Sequence, residues 1–504
     1  MPSKVKITFC GGVDEVGGNQ VFFEDSGYNV KLFLDFGINF VKYANHFDPH
    51  EEPRSPSELT DLYLLPKENK LSIKNLYSKF YIFDHEKQNY IQKKNKCKDL
   101  TDPPTNIDGI LISHPHRDHY YGISMVNRNI PIYTGVVTQR IIKAYSEASK
   151  SVMSNFYEGL LWKLFRTRNV IEIKGLRIFP VHVDHSIPAA YGFIIESSEG
   201  IVVYSGDFRM HGPLSNMTID LIDKTNQLKE EHNSKHPDDS KKSKKADLKI
   251  NTLICEGTQI NKGAIESEEM VENELRRLMA NNPFDYFLVK YNRLDWDRFR
   301  SFNNIAKEFD WNYIIAEKDA YFYYLLNNKA MYDTMKDPNI LENDNIYILL
   351  RKYDRYPWQT KIRNIFNEKG KNHRLIHYDD LNNFDKNFFL FITIMSHRLK
   401  NNLPSHLNGA FISSDIDPYS EEYFDNSNTI IHKLKKIGIP AYRIHASGHA
   451  KPHDIINFVL DINPLRLIPI HTDNQEFFKK LFRNRNINVK IPEKYMPIDL
   501  TGEL

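Results

Sequence analysis

The sequence predicts an α/β protein of two domains, one of which carries a parallel sheet covered by helices. Its 504 residues are more than one ordinary hydrophobic core accommodates. The first half alternates short β-rich runs with Gly or Asp turns, and from about residue 262 strand and helix patterns alternate. Alternating β and α patterns are typical of a parallel sheet with helices on its faces.

Strands in the first half are predicted from short runs rich in Val, Ile, Phe and Tyr that end near a polar residue. The predicted strands are Lys4–Phe9, Val30–Leu34, Ile110–Ile112, Ile201–Tyr204 and Thr252–Ile254. An amphipathic helix is predicted over Val136–Ala148.

The second half contains the alternation that predicts the parallel sheet. Helices are predicted over Glu266–Met279, Asp295–Lys307 and Thr429–Ile437. The strands predicted between them are Phe287–Lys290, Tyr313–Ala316 and Phe388–Ile394.

Two segments interrupt these patterns. Residues 48–105 are rich in Pro, Asn and Lys and have weak periodicity, so we interpret them as an insertion or a long surface excursion. Residues 227–248 form a charge run, which predicts a solvated flexible loop or, alternatively, an arm that contacts RNA.

Composition excludes several classes of protein. The hydrophobic fraction of 41% and charged fraction of 26% are normal for a globular protein, and the formal net charge of +2 neither requires nor excludes nucleic acid. Three Cys are too few for a disulfide framework. We find no secretory signal and no apolar run of transmembrane length, so a cytoplasmic location without membrane contact is expected.

The strongest functional signal is the motif Ser113-His114-Pro115-His116-Arg117-Asp118-His119, which directly follows a predicted strand. A turn at the end of a strand can direct several side chains at one point. Imidazole nitrogens and carboxylate oxygens suit Zn²⁺ and neighbouring divalent metals. The motif therefore predicts a metal site.

Further ligands must come from other strand ends, because one cluster does not complete two metal sites. The candidates are His185, Asp207 and His471. His182 lies three residues before His185 and is interpreted as a packing residue, since alternate residues of a strand face opposite sides. His211 is interpreted as a surface residue or, alternatively, a substrate contact.

These residues carry a family resemblance. The series His114-x-His116-x-Asp118-His119, His185 and Asp207, with Asp35 as a first acidic motif, resembles the metallo-β-lactamase superfamily. Three further residues resemble the motifs of the β-CASP nucleases, namely Glu256, His449 in Ser447-Gly448-His449, and His471. The opening Gly11–Asn19 and the phrase His185-Ser186-Ile187-Pro188 are similar to ribonuclease J.

The resemblance implies an αββα metallo-β-lactamase sandwich with an inserted α/β domain. Residues 1–256 and 441–504 are expected to form the sandwich, and 257–440 the inserted β-CASP domain. The chain departs from ribonuclease J at Thr472-Asp473 and at Ile394-Met395-Ser396-His397-Arg398, and we expect it to lack the C-terminal domain of the bacterial enzymes. The resemblance leaves open whether the protein forms a homodimer.

The resemblance also implies a ligand set for two divalent cations, Zn²⁺ or Mn²⁺. One metal would take His114, His116 and His185, the other would take Asp118, His119 and His471, and Asp207 would bridge them. Two metals in this relation supply a hydroxide nucleophile and hold a phosphoryl group for in-line displacement.

The remaining roles concern support and proton transfer. Asp35 is expected to hold a ligand His, or alternatively to be a turn carboxylate. His449 is the candidate acid for the leaving oxygen, with Glu256 holding it, although a core or surface His and a turn Glu are the alternatives. Ser447 and Gly448 are candidates for binding a substrate phosphate together with His449. His445 and His453 are weaker candidates for a functional role.

The resemblance favours single-stranded RNA as the substrate, because a His at the position of His471 goes with the RNA-acting members. Lys290-Tyr291-Asn292-Arg293 and Tyr321-Phe322-Tyr323-Tyr324 can offer cations and stacking faces, although the aromatic run also fits a helix core. The alternatives are a DNA nuclease, a small-molecule hydrolase such as a lactonase, and a non-catalytic scaffold. The sequence does not decide between exonuclease and endonuclease action.

Overall fold

A computed structural model of the chain describes residues 3–47, 53, 55–78, 82–84, 89–91, 102–148, 157, 159–235, 250–261, 267–281, 284–326, 339–353, 356–384, 387–393, 396–415 and 427–500. These residues form three seven-stranded sheets and one two-stranded ribbon, β4 (Ile82–Asp84) with β5 (Asn89–Ile91). Among the described helices, none has the length and apolar character needed to cross a bilayer.

The first sheet is mixed, with the order β23-β1-β2-β3-β6-β7-β8. Antiparallel pairing joins β23, β1, β2 and β3, and parallel pairing joins β3, β6, β7 and β8. Its strands are β1 (Val5–Gly11), β2 (Gln20–Asp25), β3 (Val30–Leu34), β6 (Gly109–Ile112), β7 (Pro131–Gly135), β8 (Leu161–Phe165) and β23 (Pro497–Asp499).

The second sheet is also mixed, with the order β22-β21-β13-β12-β11-β10-β9. Strands β9 to β12 pair antiparallel, and β12, β13, β21 and β22 pair parallel. Its strands are β9 (Ile171–Ile173), β10 (Leu176–Val183), β11 (Ala190–Ser197), β12 (Gly200–Tyr204), β13 (Ile250–Glu256), β21 (Pro464–Ile470) and β22 (Asn488–Val489).

The two mixed sheets pack face to face. One core cluster holds residues of both sheets, such as Phe9, Leu34, Phe193 and Ile468. Two further clusters cover the outer faces of the first and second sheets with helices. The layers are therefore helix, sheet, sheet and helix, as expected for the αββα sandwich.

The third sheet is parallel throughout, with the order β17-β16-β15-β18-β14-β19-β20. It confirms the parallel sheet expected from the second half of the sequence. Its strands are β14 (Tyr286–Lys290), β15 (Asn312–Ala316), β16 (Ile346–Leu350), β17 (Leu375–His377), β18 (Phe388–Phe391), β19 (Gly409–Ser413) and β20 (Ala441–Arg443). Core clusters on both faces are rich in Phe, Tyr and Ile, as expected for strands buried on two sides.

Helices cover the sheets and join them. Those of the sandwich are α1 (Phe40–Ala44), α2 (Pro56–Asp61), α3 (Glu68–Leu71), α4 (Arg117–Tyr120), α5 (Val136–Ala148), α6 (Asn216–Lys235), α13 (Pro452–Ile462) and α14 (Gln475–Phe482). Those around the third sheet are α7 (Glu268–Asn281), α8 (Trp296–Glu308), α9 (Glu317–Leu326), α10 (Pro357–Glu368), α11 (His397–Asn402) and α12 (Ser427–Lys435). Short 3₁₀ helices lie at Tyr121–Met125, Asn372–Arg374 and Tyr378–Asn383.

Most predicted elements are confirmed to within a few residues, but two segments differ from expectation. The described part of residues 48–105 is no surface excursion, since Leu59, Leu65, Leu71 and Leu76 are buried against the first sheet. The predicted loop over residues 227–248 is wrong at its start, because α6 continues to Lys235. Residues 236–249 lie outside the described residues.

Strand ends position the candidate site. Parallel strands place their carboxyl ends at one edge of a sheet, where ligands characteristically bind. Asp35 directly follows β3, Ser113 follows β6, His185 lies just beyond β10, Glu256 ends β13, and His471 directly follows β21. The two sheets of the sandwich therefore contribute to one region.

Candidate metal centre

Three imidazoles and a carboxylate form the first half of the site. The Nδ1 atom of His116 lies 3.0 Å from His114 Nε2 and 3.1 Å from His185 Nε2. Asp207 Oδ2 is 3.6 Å from His114 Nε2. One potential ligand atom from each of these four buried residues lies within 4.8 Å of the others.

The second half contains Asp118, His119 and His471, whose candidate ligand atoms also lie within 4.8 Å of one another. Asp118 Oδ2 is 3.0 Å from His471 Nε2 and 3.6 Å from His119 Nε2. Asp207 Oδ2 lies 3.1 Å from His119 Nε2 and 3.6 Å from His471 Nε2. Because the same Asp207 oxygen also faces His114, Asp207 lies between the two halves.

Outer hydrogen bonds fix which nitrogen of each ring faces the centre. The Nδ1 of His185 donates to the Gly448 carbonyl at 2.6 Å, and the Nδ1 of His119 donates to the Asp35 carboxylate at 2.7 Å. Carbonyl and carboxylate oxygens only accept, so in each neutral ring Nε2 keeps its lone pair. This is the arrangement that metal-binding histidines require.

His471 and His114 are oriented by hydroxyl groups instead. Thr258 Oγ1 donates to the His471 carbonyl at 3.2 Å, so it can accept from His471 Nδ1 at 2.8 Å. Ser113 Oγ donates to Asp35 at 2.8 Å and can accept from His114 Nδ1 at 2.9 Å. Both rings therefore also present Nε2 to the centre.

Asp35 is the hub of this support. Its fully buried carboxylate accepts from the Ser113 N–H at 2.7 Å and from the Tyr204 hydroxyl at 2.7 Å, besides the bonds to Ser113 Oγ and His119. Its backbone has φ +57°, a left-handed conformation that Asp tolerates better than most residues. Asp35 belongs to none of the potential ligand groups among the described residues and instead contacts the ligand candidate His119, which agrees with a supporting role.

Glycines allow two segments to approach the site closely. Gly206 has φ +59°, and a Cβ there would lie 2.5 Å from the Tyr191 carbonyl oxygen. A Cβ on Gly448 would lie 2.5 Å from Ser186 Oγ. Larger residues at either position would displace the turn that carries Asp207 or the carbonyl that orients His185.

His449 and Glu256 form a buried pair beside the centre. Glu256 Oε1 is 3.1 Å from His449 Nδ1, and the other Glu256 oxygen accepts from the Thr258 N–H at 2.9 Å. His449 Nδ1 is also 4.0 Å from Asp207, so these two groups and His471 form a third possible ligand set. Glu256 therefore holds the Nδ1 side of the His449 ring.

The donor set fits two divalent cations. Ligands of a tetrahedral zinc site bind at about 2.0–2.2 Å and are therefore roughly 3.3–3.6 Å apart. The neighbouring ligand atoms described above lie 3.0–3.6 Å apart, and all atoms of a group lie within 4.8 Å of one another. Within the described part of the chain, His119 Nε2 and Asp207 Oδ1 are buried and make no hydrogen bond, which a cation would explain.

Burial and charge affect the two halves differently. Burial lowers the pKa of His114 and His185 well below the usual value and lowers the pKa of His116 to about 4. Burial has the same effect on His119, but the neighbouring carboxylates, Asp207 foremost, outweigh it and raise the pKa of His119 well above its usual value. The first half therefore offers neutral rings at neutral pH, whereas the second half competes with protons.

Other histidines lie outside the centre. His182 stacks on Tyr191 with ring centroids 4.1 Å apart, which confirms its packing role. His211 is not a surface residue, because its side chain is only 5% exposed and its Nε2 donates to the Ser447 carbonyl at 2.9 Å. His445 is half-buried, with its Nδ1 2.9 Å from the Ser414 carbonyl oxygen, whereas the His453 side chain is 68% exposed.

The predicted substrate contacts on the third-sheet unit are wrong for Lys290 and Tyr291, which are buried. The Lys290 ammonium is buried and paired with Asp415, and the Tyr291 ring lies in a core cluster. Arg293 pairs with Asp319 at 3.4 Å. Tyr321, Phe322 and Tyr323 are buried in α9, so the helix-core interpretation of the aromatic run is confirmed.

The segment 394–398 and the set of three cysteines lie partly outside the described residues. Ser396 caps α11 by accepting from the Leu399 N–H at 3.1 Å, whereas Ile394 and Met395 lie outside the described residues. Cys10 and Cys255 are free and buried, and Cys97 is likewise outside the described residues.

The sequence analysis missed several supporting residues, among them Ser113, Tyr204 and Thr258. Ser113 and Tyr204 border the metal motifs, and Thr258 follows Glu256 by two residues. Their proximity to strand ends was a signal, but hydroxyl groups are common in turns. Only the fold shows that these hydroxyls reach Asp35 and His471.

Comparisons with known proteins agree with this geometry. A family model described as a beta-lactamase superfamily domain matches residues 83–224. Ribonuclease J of Sinorhizobium meliloti is 24% identical over 185 residues, covering 36% of this chain and 29% of that protein. Ribonuclease J of Pyrococcus abyssi is 24% identical over 210 residues, covering 41% and 38%. Ribonuclease J of Mycoplasma pneumoniae is 20% identical over 393 residues, covering 74% and 58%.

The matched segments span well under half of the Sinorhizobium and Pyrococcus proteins. The crystal structure of a protein of unknown function from Enterococcus faecalis V583 has a TM-score of 0.66 at 21% identity, covering 98% of this chain and 99% of that one. This likeness supports the fold alone. The chain is thus a divergent protein of metallo-β-lactamase fold that is similar to ribonuclease J.

Proposed function

We propose that the chain is a two-metal phosphodiester hydrolase that cleaves single-stranded RNA in RNA processing or decay. The observation that carries the proposal is the meeting of seven ligand candidates in two groups that share Asp207. Similarity to ribonucleases J favours RNA among the possible phosphodiesters. It also supports the assignment of residues 257–440 to an inserted β-CASP domain. Strands β14 to β19 of the third sheet lie in this range, and β20 follows directly at Ala441–Arg443.

We propose two cation sites with the ligand set expected from the sequence. His114, His116 and His185 would hold one cation, and Asp118, His119 and His471 would hold the other, with Asp207 between them. When bound, the two cations would polarise the phosphate and supply hydroxide from water at neutral pH. Zn²⁺ suits the nitrogen-rich set best, and Mn²⁺ is the second candidate.

The chain's own residues would prepare the substrate. The Ser447-Gly448-His449 turn lies beside the centre, because Gly448 contacts His185. It would bind the phosphate next to the scissile bond. His449, held by Glu256, would donate a proton to the leaving ribose oxygen, which is a poor leaving group as an alkoxide.

The deciding experiment compares RNA and DNA strands of identical sequence, labelled at either end, with Zn²⁺ or Mn²⁺ added. We expect metal-dependent cleavage of RNA at least about tenfold faster than that of DNA, and the fragment pattern distinguishes exonuclease from endonuclease action. Equal rates would favour the DNA exonuclease alternative. Hydrolysis of a lactone without cleavage of either strand would favour the small-molecule hydrolase.

Metal content and mass are measured on the same preparation. Two bound cations per chain support the proposal, and a catalytically silent chain without bound metal would favour a scaffold. Analytical ultracentrifugation decides between a monomer and the homodimer that the resemblance leaves open.

A further inference from the structure

Two fully buried arginines join the third-sheet unit to the sandwich. Arg209 and Arg298 both have 0% exposure. A buried guanidinium is stable only when charged or polar partners surround it. Neither residue has a role in the proposed chemistry.

Arg209 is shared between the two units. Its Nε lies 3.2 Å from Asp184 in the sandwich. Its terminal nitrogens contact Asp297 on α8 and lie 3.8 Å from Glu268 at the start of α7. A shift of α7 and α8 away from the sandwich would leave Arg209 with Asp184 as its remaining carboxylate partner among these three.

The position of Arg209 in the chain connects it to the metal centre. Asp184 immediately precedes His185, and Arg209 follows Asp207 by two residues. The Arg209 N–H donates to the Asp184 carbonyl at 2.7 Å, which ties the two segments together. The segment that carries His185 is therefore tied to a residue whose side chain α7 and α8 hold.

Arg298 connects α8 to a second segment beside the centre, the one that leads to His449. It lies on α8 and binds both oxygens of Glu268, at 3.0 Å and 3.2 Å. Its terminal nitrogens donate to the Ser414 carbonyl at 2.9 Å and the Ala446 carbonyl at 3.1 Å. Ala446 directly precedes Ser447-Gly448-His449, so Arg298 fixes the base of the turn that carries His449.

Glu268 connects the two arginines into one network, because it contacts both. We infer that Arg209 and Arg298 are positioning residues, through which α7 and α8 set the geometry of His185 and of His449. The inference rests on the proposed function and adds a coupling between the third-sheet unit and two separate steps, metal binding and proton donation.

The two arms of the network predict different defects. Asp297→Asn removes a charged partner of Arg209 and so loosens the segment that carries His185. Metal affinity should therefore fall about fivefold or more, and all phosphodiester substrates should be hydrolysed more slowly. Arg298→Lys keeps the charge beside Glu268 but loses the planar fork that reaches two carbonyls. It should misplace His449 and leave metal affinity within about twofold of that of the parent chain.

A substrate with an activated leaving group separates positioning from general damage. Nitrophenolate leaves without a proton, so bis(p-nitrophenyl) phosphate does not need His449. For Arg298→Lys we expect kcat on RNA to fall about tenfold or more with KM within about threefold, whereas turnover of the activated ester stays within about twofold. For Asp297→Asn we expect both substrates to slow together.

Glu308→Gln is the matched control, because Glu308 makes an exposed ion pair at 2.9 Å with Arg276 and joins the same two helices. It should leave all readouts unchanged. The inference is overturned if both test variants behave like the control, or if metal binding and both activities fall only in proportion to the folded fraction. Should Arg298→Lys not fold, the metal affinity of Asp297→Asn decides alone. That affinity also tests the coupling if no RNA is cleaved, so the two proposals can fail separately.

Discussion

Replacing Asp35 by Asn tests how far the metal centre depends on a carboxylate that is not itself a candidate ligand. Asn tolerates the φ of +57° found at this position, so the backbone is expected to stay in place. The side chain keeps its shape and loses its charge. The substitution therefore separates the electrostatic role of Asp35 from its packing.

The size of the effect follows from the four hydrogen bonds that the carboxylate accepts. Three donors meet on Oδ2, from Ser113, His119 and Tyr204, and the Ser113 N–H meets Oδ1. In the least costly orientation the amide oxygen takes the three donors, and the amide NH₂ faces the Ser113 N–H. The Ser113 N–H and the amide NH₂ then both lack an acceptor, and each unpaired group costs about 1–3 kcal/mol of folding free energy. The bond to His119 also loses its charge assistance, so metal affinity should fall roughly 10- to 100-fold.

Affinity is measured by competition with a chromogenic chelator, and stability by urea unfolding of the metal-free protein. Tyr204→Phe is the matched control, because it removes one donor to Asp35 and leaves the carboxylate charged. We expect its metal affinity to stay within about threefold of that of the parent chain. If Asp35→Asn binds both cations as tightly as this control does, the orienting role argued for Asp35 is wrong.

Three further predictions concern single histidines. His116→Ala should abolish metal-dependent hydrolysis while circular dichroism shows a largely intact fold, and full activity would contradict the ligand assignment. His449→Ala should slow RNA turnover by about 10²–10⁴-fold and leave both cations bound by elemental analysis, so loss of both would refute its proton-transfer role. Burial lowers the pKa of His182 to about 4 from 6.5, so the unfolded chain takes up a proton first as pH falls and stability is lost between these values. His182→Gln should therefore remove up to about 2 kcal/mol of the destabilisation between pH 7.5 and pH 5 in urea unfolding, and an unchanged pH dependence would contradict the shift.

Much of the fold was predictable because its elements obey local rules. The helix Val136–Ala148 has the expected bounds, and its apolar residues Ile141, Ile142 and Ala144 are buried as the periodicity predicts. The strand Val30–Leu34 likewise ends where Asp35 begins. Periodicity is a local property, and it survives when the rest of the fold is unknown.

The errors have an equally physical origin. α6 continues through charged residues to Lys235, because packing of its first turns on the second sheet outweighs a solvated composition. Lys290 looked like a cation for nucleic acid, but it ends a strand that is buried on both faces and is neutralised by Asp415. A sequence shows a charge but does not show which partner folding brings to it.

The metal centre was likewise predictable only in part. A compact motif such as His114–His119 can be recognised alone, because it places several ligands on one turn. The tautomers of its rings depend on Ser113 and Asp35, and the tautomer of His471 depends on Thr258, which is far away in sequence. These bonds decide whether a ring offers a lone pair or a proton to the centre.

Seven ligand candidates from distant parts of the chain can meet because almost every one lies at or just beyond the carboxyl end of a strand. The strands β3 and β6 are parallel neighbours in the first sheet, as β12, β13 and β21 are in the second. Their ends therefore reach common edges, and packing of the two sheets brings the edges together. His449 differs, because its turn follows β20 of the third sheet. The metal-ligand candidates thus come from the sandwich, whereas His449 lies on a turn between β20 of the third sheet and α13 of the sandwich, where it contacts Glu256 at the end of β13.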